Sequence, residues 1–517
     1  MGVTDLLARL GPVADHLPVL LVVVPLMAAP ISALLGLIQR RPLPWIWATL
    51  VAWLTFGMSA LLLGQVMTSG TVSYPLGGWA PPLGIEYRVD LANAYVLFIV
   101  TSIGAVVMPY AKASVDLEIE GDKHHLFYAA LLLCLTGLLG ITVTGDAFNV
   151  FVFLEISSLS TYGLIAMGRG PRALTSAFRY LVMGTIGGTF ILIGIGLMYM
   201  MTGTLNMSEL VVMLPAVSGS RTIQAALAFL TVGASIKLAL FPLHLWLPNA
   251  YTYSPSAVSA FLAATATKVS FYVLARVFFT FFGVALVFGT MRVDAVLMPI
   301  ALLAIYSGSL VAIFQKNAKR LLAYSSVAQI GYMVLGLSMV GWDGTQATGL
   351  NGLTGGLVHL FNHAVMKGGM FLALGAVFYR IGSVNLDDMA GIGKRMPLTM
   401  LAFTFGGLGL IGVPMTAGFI SKWYLVLGAL EMERHGGLVV GAMLISSLLA
   451  VVYVWRVIEV AYFREPTGAA KKATDPPALM LVPTWLLIGA SIYFGLQTEL
   501  TGDVARAAAA SLMGVSP

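Results

Sequence analysis

The sequence predicts an all-α integral membrane protein of about fourteen transmembrane helices, with two inverted five-helix repeats that each contain one broken helix. Three observations carry this reading. Only 10% of the 517 residues are charged and 59% are hydrophobic, with a mean hydropathy of +0.92. An ordinary soluble domain carries about 25% charged residues, so a soluble enzyme and a disordered scaffold are both excluded. Second, apolar stretches long enough to cross a bilayer, about 20 residues, recur fourteen times along the chain. Third, the seventh and twelfth of these are interrupted by proline. Paired broken helices five spans apart are the layout of an inverted-repeat transporter.

In chain order the spans fall at approximately 18–38, 43–66, 91–110, 126–145, 147–167, 176–201, 224–246, 255–288, 296–314, 321–341, 351–379, 397–431, 437–462 and 478–498. The first follows no basic segment and no small-residue cleavage site, so it reads as a retained helix and not as a signal peptide. Residues 1–125 supply three N-terminal helices, 126–288 and 289–462 the two repeats, and 463–517 the fourteenth helix and a tail. The longest connections, 67–90, 111–125 and 202–223, are too short for an independent core. No long helix is expected after the last span.

Basic residues collect in cytoplasmic loops, and they orient the chain. With the N-terminus outside, the inside loops hold fifteen: Arg40, Arg41, Lys112, Lys123, Arg169, Arg172, Lys316, Lys319, Arg320, Arg380, Lys394, Arg395, Arg464, Lys471 and Lys472. The outside segments hold six: Arg9, Arg88, Arg221, Arg292, Arg434 and Arg506. This bias places both termini outside a plasma (inner) membrane. It also accounts for the net charge of +6 without nucleic acid as a partner; the bilayer is the expected surroundings.

Some charges fall where lipid should be. Glu155 lies in FNVFVFLEISSLS, Lys237 in SIKLALFPLHLWLP five residues before Pro242, and Lys422 in VPMTAGFISKWYL eight after Pro414. Lys268 is likewise flanked by apolar residues. An ionisable group at membrane depth costs roughly 2.5–3.5 kcal/mol on insertion scales, and low dielectric disfavours its charged form. Such groups can pick up and release protons; a static ion pair that stabilises packing is the competing explanation. In VHLFNHAVMKGGMF, His359, His363 and Lys367 recur every four residues, on one helix face about 6 Å apart. Histidine titrates nearest neutrality, so this ladder suits a proton relay. A hydrogen-bonding stripe is the alternative, and a metal site is weakest because no third carboxylate or thiolate ligand accompanies the pair. His244, in the HLWLP loop, is read as an interface residue or a gate.

The single cysteine, Cys134, excludes an intramolecular disulfide, a CxxC pair and a cysteine-ligated cluster. There is no Walker loop, no GxGxxG after a strand, no HExxH and no GxSxG elbow, so no cofactor and no chemical active site are expected. Asp387 and Asp388 read as solvated. A membrane enzyme acting on a lipid-linked substrate would carry its catalytic groups in a sizeable aqueous loop, which this chain lacks.

Four segments, GDAFNVFVFLE, KLALFPLHLWLPNAYTYSPSAVSAFLAATATK, KRLLAYSSVAQIGYM and HLFNHAVMKGGMFLALGA, resemble the antiporter-like subunit family. That family comprises the large proton-pumping membrane subunits of respiratory complex I and the A and D subunits of Mrp-type multisubunit sodium/proton antiporters. The resemblance covers nearly the whole chain. It implies a glutamate–lysine pair on the fifth and seventh helices, here Glu155 and Lys237, a central lysine on the eighth, here Lys268, and a terminal charge on the broken twelfth, here Lys422. The loop GGWAPPLGI and the run GDAFNVFVFLE look most like the D type.

The function expected is therefore proton translocation, along a buried Glu/Lys/His chain, within a multisubunit Na+/H+ antiporter. The alternative is a proton-pumping subunit of a complex I-like oxidoreductase or a membrane-bound hydrogenase. Either implies other membrane subunits as partners, with H+ and, for the antiporter, Na+ as the ions moved.

Overall fold

In a computed structural model, residues 11–38, 42–341 and 349–515 are described, apart from the side chain of Leu500; Arg9, Arg40 and Arg41 lie outside them. Among the described residues, twelve helices are long and apolar enough to cross a membrane. Two further crossings are broken in the middle, and spans are numbered 1 to 14 on that basis. Span 7 is Arg221–Leu238 followed by Trp246–Tyr253, and span 12 is Pro397–Ile411 followed by Ala417–Leu430.

The breaks fall where the prolines demand, because proline cannot donate a helix hydrogen bond and clashes with the preceding turn. Backbone groups freed at membrane depth need partners, and each break supplies them. Ala239 ends the first half of span 7 in a left-handed cap, φ 60°, and Trp246 donates its indole N–H to the Ile236 carbonyl at 2.9 Å. Gly412 closes the first half of span 12 at φ 87°. There the Lys422 ammonium donates to the carbonyls of Ile411 and Leu410 at 2.8 and 3.2 Å. Span 8 carries a third interruption that the sequence does not announce. Ser256–Ala264 and Ala266–Arg276 meet at Thr265, φ −124° and ψ −57°.

The spans divide by burial. Spans 3 (Leu91–Glu118), 4, 8, 10 and 11 (Leu350–Ile381) have 78–94% of their most apolar window enclosed by protein, against 33–50% for the other unbroken spans. Exposed side chains on the latter are large and apolar, among them Leu50, Trp53, Leu174, Phe178, Leu444 and Trp455. A bilayer accepts such a surface. The enclosed helices are the ones on which buried polar groups collect.

A duplicated local structure marks the two repeats. Span 5 (Ala147–Ala166) is capped by Asp146, whose carboxylate accepts the Asn149 N–H. Asp146 forms a bridge with Asn206, through Ala147 N–H to Leu205 O and Met207 N–H to Gly145 O. Span 10 (Ala318–Ser338) is capped by Asn317. Its bridge to Asn385 uses the same two bonds, Ala318 N–H to Val384 O and Leu386 N–H to Lys316 O. Spans 5 to 9 separate the two motifs, an odd number of crossings, so the bridges lie on opposite faces of the membrane. The neighbour pattern repeats with them: span 4 packs on 5, 5 on 6 and 6 on 7, as 9 packs on 10, 10 on 11 and 11 on 12.

Three expectations need correction. Lys319 is not in a loop: it lies in the first turn of span 10 and is 3% exposed, because Ser256 of span 8 and the Phe378 ring of span 11 close over it. The tail after span 14 (Ala478–Leu496) holds a second helix, Glu499–Met513, packed on spans 3 and 11; its alanine face is too weakly apolar to register as a span. The 67–90 connection includes a short antiparallel hairpin, Val72–Pro75 with Glu86–Val89.

Candidate functional site

The titratable residues singled out in the sequence fall into a pair and a chain. On the first repeat, Lys237 is the penultimate residue of the first half of span 7. It is 5% exposed and donates to Glu155 Oε1 at 3.2 Å and to Ser158 Oγ at 2.8 Å. Spans 5 and 7 can approach this closely because span 6 (Pro171–Thr202) presents glycine between them. A Cβ on Gly188 would stand 2.4 Å from Glu155 Oε1, and one on Gly187 3.3 Å from the Gly233 carbonyl.

A cavity of about 20 Å³ lies beside Lys237, lined by the hydroxyls of Ser157, Ser158, Thr161 and Ser270. That volume and polarity suit one water. Ala266, Val269, Ser270 and Val273 of span 8 form its far wall, so the cavity joins the pair to the helix that carries Lys268 on another face.

Lys268 is fully buried and has no acidic hydrogen-bond partner among the described residues. Its ammonium donates to the carbonyl of Ala263, at the end of the first segment of span 8, and to Thr267 Oγ1 at 3.4 Å. Lys422 is held in the same manner at the break in span 12, with Ser447 Oγ at 2.9 Å and the Tyr332 ring 5.0 Å away. A helix C-terminus carries partial negative charge and favours a cation by about 0.3–1 kcal/mol, more when partly buried. Two lysines thus rest on the exposed carbonyl ends of interrupted helices.

Between them runs span 11. His359 and His363 stack with ring centroids 6.0 Å apart and planes 4° from parallel. Among the described residues, both ring nitrogens of His363 and Nε2 of His359 have no hydrogen-bond partner. His359 Nδ1 shares a 2.8 Å hydrogen bond with Ser421 Oγ, the residue before Lys422. Lys367 donates to the Leu322 carbonyl at 2.8 Å and to Ser325 Oγ. Lys268 lies within electrostatic reach of His359, His363 and Lys367. Lys268, His359, His363, Lys367 and Lys422 thus form one buried neighbourhood, in which the described residues show no hydrogen bond from one member to another. The structure brings Glu155 only to Lys237.

His244 sits in the break of span 7, stacked on Phe241 at 5.5 Å and edge-on to Tyr324 of span 10 at 6.4 Å. It stands between the repeats, outside the hydrogen bonds of the buried chain. Sequence reasoning missed the hydroxyls that hold these groups, Ser158, Ser325, Ser421 and Ser447. The only signal for three of them was spacing: Ser158 follows Glu155 by three, Ser325 opens the serine pair of YSSVAQ, and Ser421 precedes Lys422.

The family model described as NADH:quinone oxidoreductase/Mrp antiporter, transmembrane, matches residues 144–450. The chain is 42% identical over 502 residues to a protein of Desulforudis audaxviator called NADH-quinone oxidoreductase subunit N, covering 94% of this chain and 96% of that one. It is 28% identical over 497 residues to the D-type Na(+)/H(+) antiporter subunit of Bacillus subtilis, covering 95% and 97%. Among solved structures it superposes on a chain of an archaeal membrane-bound sulfane sulfur reductase with a TM-score of 0.86 at 30% identity, covering 96% and 98%. It superposes on one of the Mrp complex from Dietzia sp. with the same TM-score at 25% identity, covering 97% and 98%.

Proposed function

On the premise that the chain belongs to the NADH:quinone oxidoreductase/Mrp antiporter transmembrane family, we propose that it moves protons through the buried group, as one subunit of a multisubunit Na+/H+ antiporter in a plasma membrane. One observation carries the proton reading. Lys237, Lys268, Lys367 and Lys422 are each buried, yet only Lys237 is hydrogen-bonded to a carboxylate among the described residues. Four permanent charges with one counter-ion would be costly in a low-dielectric interior. A set that exchanges protons avoids this, because not all of its members are charged at once.

In this mechanism Glu155 stabilises the protonated Lys237. When the two separate, the ammonium loses its counter-charge and its proton passes by way of the small cavity to span 8, the helix that carries Lys268. His363 and His359, whose free nitrogens can both accept and donate, connect Lys268 to Lys367 on one side and through Ser421 to Lys422 on the other. Proton movement along this row is coupled to Na+ carried on another path of the complex.

The 42% identity to a subunit N favours a second reading, in which the same row is driven by a redox module. The two are separated by isolating the intact complex and identifying its other subunits. Small membrane subunits and Na+-dependent proton movement in vesicles support the antiporter, whereas quinone- or hydrogen-reacting subunits support the redox-driven complex. Absence of any proton movement by the reconstituted complex would remove both.

A further inference from the structure

Span 3 belongs to neither repeat, and it ends in a cavity on each face of the membrane. At its start, Asp90 caps the helix by accepting from Ala92 and Asn93 N–H. Asp90 Oδ1 pairs with Arg276 of span 8 at 2.6 Å. This pair lines a cavity of about 470 Å³, which also touches Gly145 and Met207, next to the Asp146–Asn206 bridge. At its other end Glu118 is 7% exposed. It accepts from Ser114 Oγ at 2.7 Å and, with both oxygens, from the Ser256 N–H at 3.1 Å. Lys319 donates to Ser256 Oγ at 3.0 Å. Glu118 and Lys319 line a second cavity, of about 230 Å³, bounded by the Asn317–Asn385 bridge.

Each cavity thus adjoins one of the twin bridges. Each contains one carboxylate from span 3 and two basic residues, Arg88 and Arg276 in the first and Arg169 and Lys319 in the second. Each also leads into the buried group. From Arg276, Nε donates to Tyr272 Oη at 2.9 Å. Tyr272 lies one turn from Lys268, so Lys268, Tyr272 and Arg276 share a helix face at four-residue spacing. From Lys319, two turns along span 10 lead to Ser325 and the Leu322 carbonyl, which hold Lys367.

We propose that these cavities are the two aqueous mouths of the proton route, Glu118 with Lys319 serving Lys367 and Asp90 with Arg276 serving Lys268. The inference rests on the proton reading above and adds where the row meets water. Glu118 exchanges a proton with water in its cavity and Lys319 relays it inward. At the opposite mouth the Tyr272 hydroxyl, which donates to the Thr142 carbonyl at 3.1 Å and accepts from Arg276 and Asn93, connects the Lys268 face of span 8 to the cavity, while Arg276, which cannot titrate in the working range, holds the Asp90 carboxylate in place.

The test uses the whole complex with Cys134, the one native cysteine of this chain, replaced by serine. Ser383→Cys lines the Glu118 cavity and Ser208→Cys the Asp90 cavity; Thr467→Cys is exposed outside both. Each is treated with a membrane-impermeant quaternary-ammonium thiosulfonate, and proton flux is compared before and after. We expect Ser383→Cys and Ser208→Cys to react from opposite sides of the membrane and each to lose flux at least tenfold once labelled, with less than a twofold change at Thr467→Cys. Labelled cavities that conduct within twofold of their unlabelled state would overturn the proposal. Glu118→Gln, which keeps an acceptor for Ser256 but carries no proton, should lose flux at least tenfold, and Glu118→Asp should restore most of it. Equal loss in both, with normal assembly, would reduce Glu118 to packing and overturn its role. A wild-type complex without proton flux overturns the proton reading itself; conduction that survives plugging overturns only the mouths.

Discussion

Lys237 and Lys422 both stand at broken helices, yet only Lys237 has a carboxylate beside it. Lys237 reaches Glu155 at 3.2 Å. Lys422 reaches back across its break to two carbonyls and the Ser447 hydroxyl. One lysine is held by a charge that a partner can move; the other is held by fixed dipoles.

Glu155→Gln and Lys237→Ala should each abolish proton flux while the complex still assembles, because apolar packing sets the fold and the pair contributes little to it. Flux in reconstituted vesicles, normalised to assembled complex, decides this. More than half of wild-type flux in either variant would sink the role given to both.

Lys422→Arg should be about as damaging as Lys422→Ala. Arginine keeps the charge but cannot release a proton in the working range. Its planar fork also does not match three acceptors arranged around a single ammonium. If Lys422 served only to satisfy the carbonyls of Leu410 and Ile411, arginine would retain near-normal flux.

Gly188→Ala places a Cβ 2.4 Å from Glu155 Oε1, so the carboxylate must shift from its present place beside Lys237. We expect a loss of flux of at least tenfold with normal expression. Gly196→Ala, on the same span but with nothing within 4 Å of its Cβ, should change flux by less than twofold. Equal behaviour of the two alanines would show that the Glu155 position does not matter.

The single chain should exchange Na+ for H+ poorly or not at all. Its side chains at membrane depth are mostly ammonium and imidazole groups, whereas a Na+ site needs several oxygen ligands. Robust exchange in vesicles holding this polypeptide alone would argue for a standalone transporter.

What the sequence made legible follows from chemistry that is local. Hydropathy marked the unbroken spans, and Pro242 and Pro414 marked two breaks, because proline acts on its own turn. The spacing of His359, His363 and Lys367 was likewise a property of one helix. Partnerships across the chain were not legible: Lys237 with Ser158, Lys422 with Ser447 and Asp90 with Arg276 depend on which faces pack together. The break at Thr265 left no mark, since threonine is tolerated in helices and only the packing around Lys268 shows why the backbone parts there. Lys319 was misplaced for the same reason, as loop rules count charges without knowing what covers them.

The twin bridges, Asp146 with Asn206 and Asn317 with Asn385, bear on direction. A chain that uses one motif twice, head up and head down, presents the same local backbone pattern to both sides of the membrane, and on the proposed function its inward-loaded and outward-loaded arrangements need differ little in free energy. A small bias then shifts the population between them. The bias cannot come from the duplicated part. It must come from what the halves do not share, such as Glu155 where the second repeat has Ser326 nine residues after its cap, or from the neighbour that pushes on the chain. On the proposed function the duplicated fold sets no direction of its own, and the vector belongs to its asymmetries.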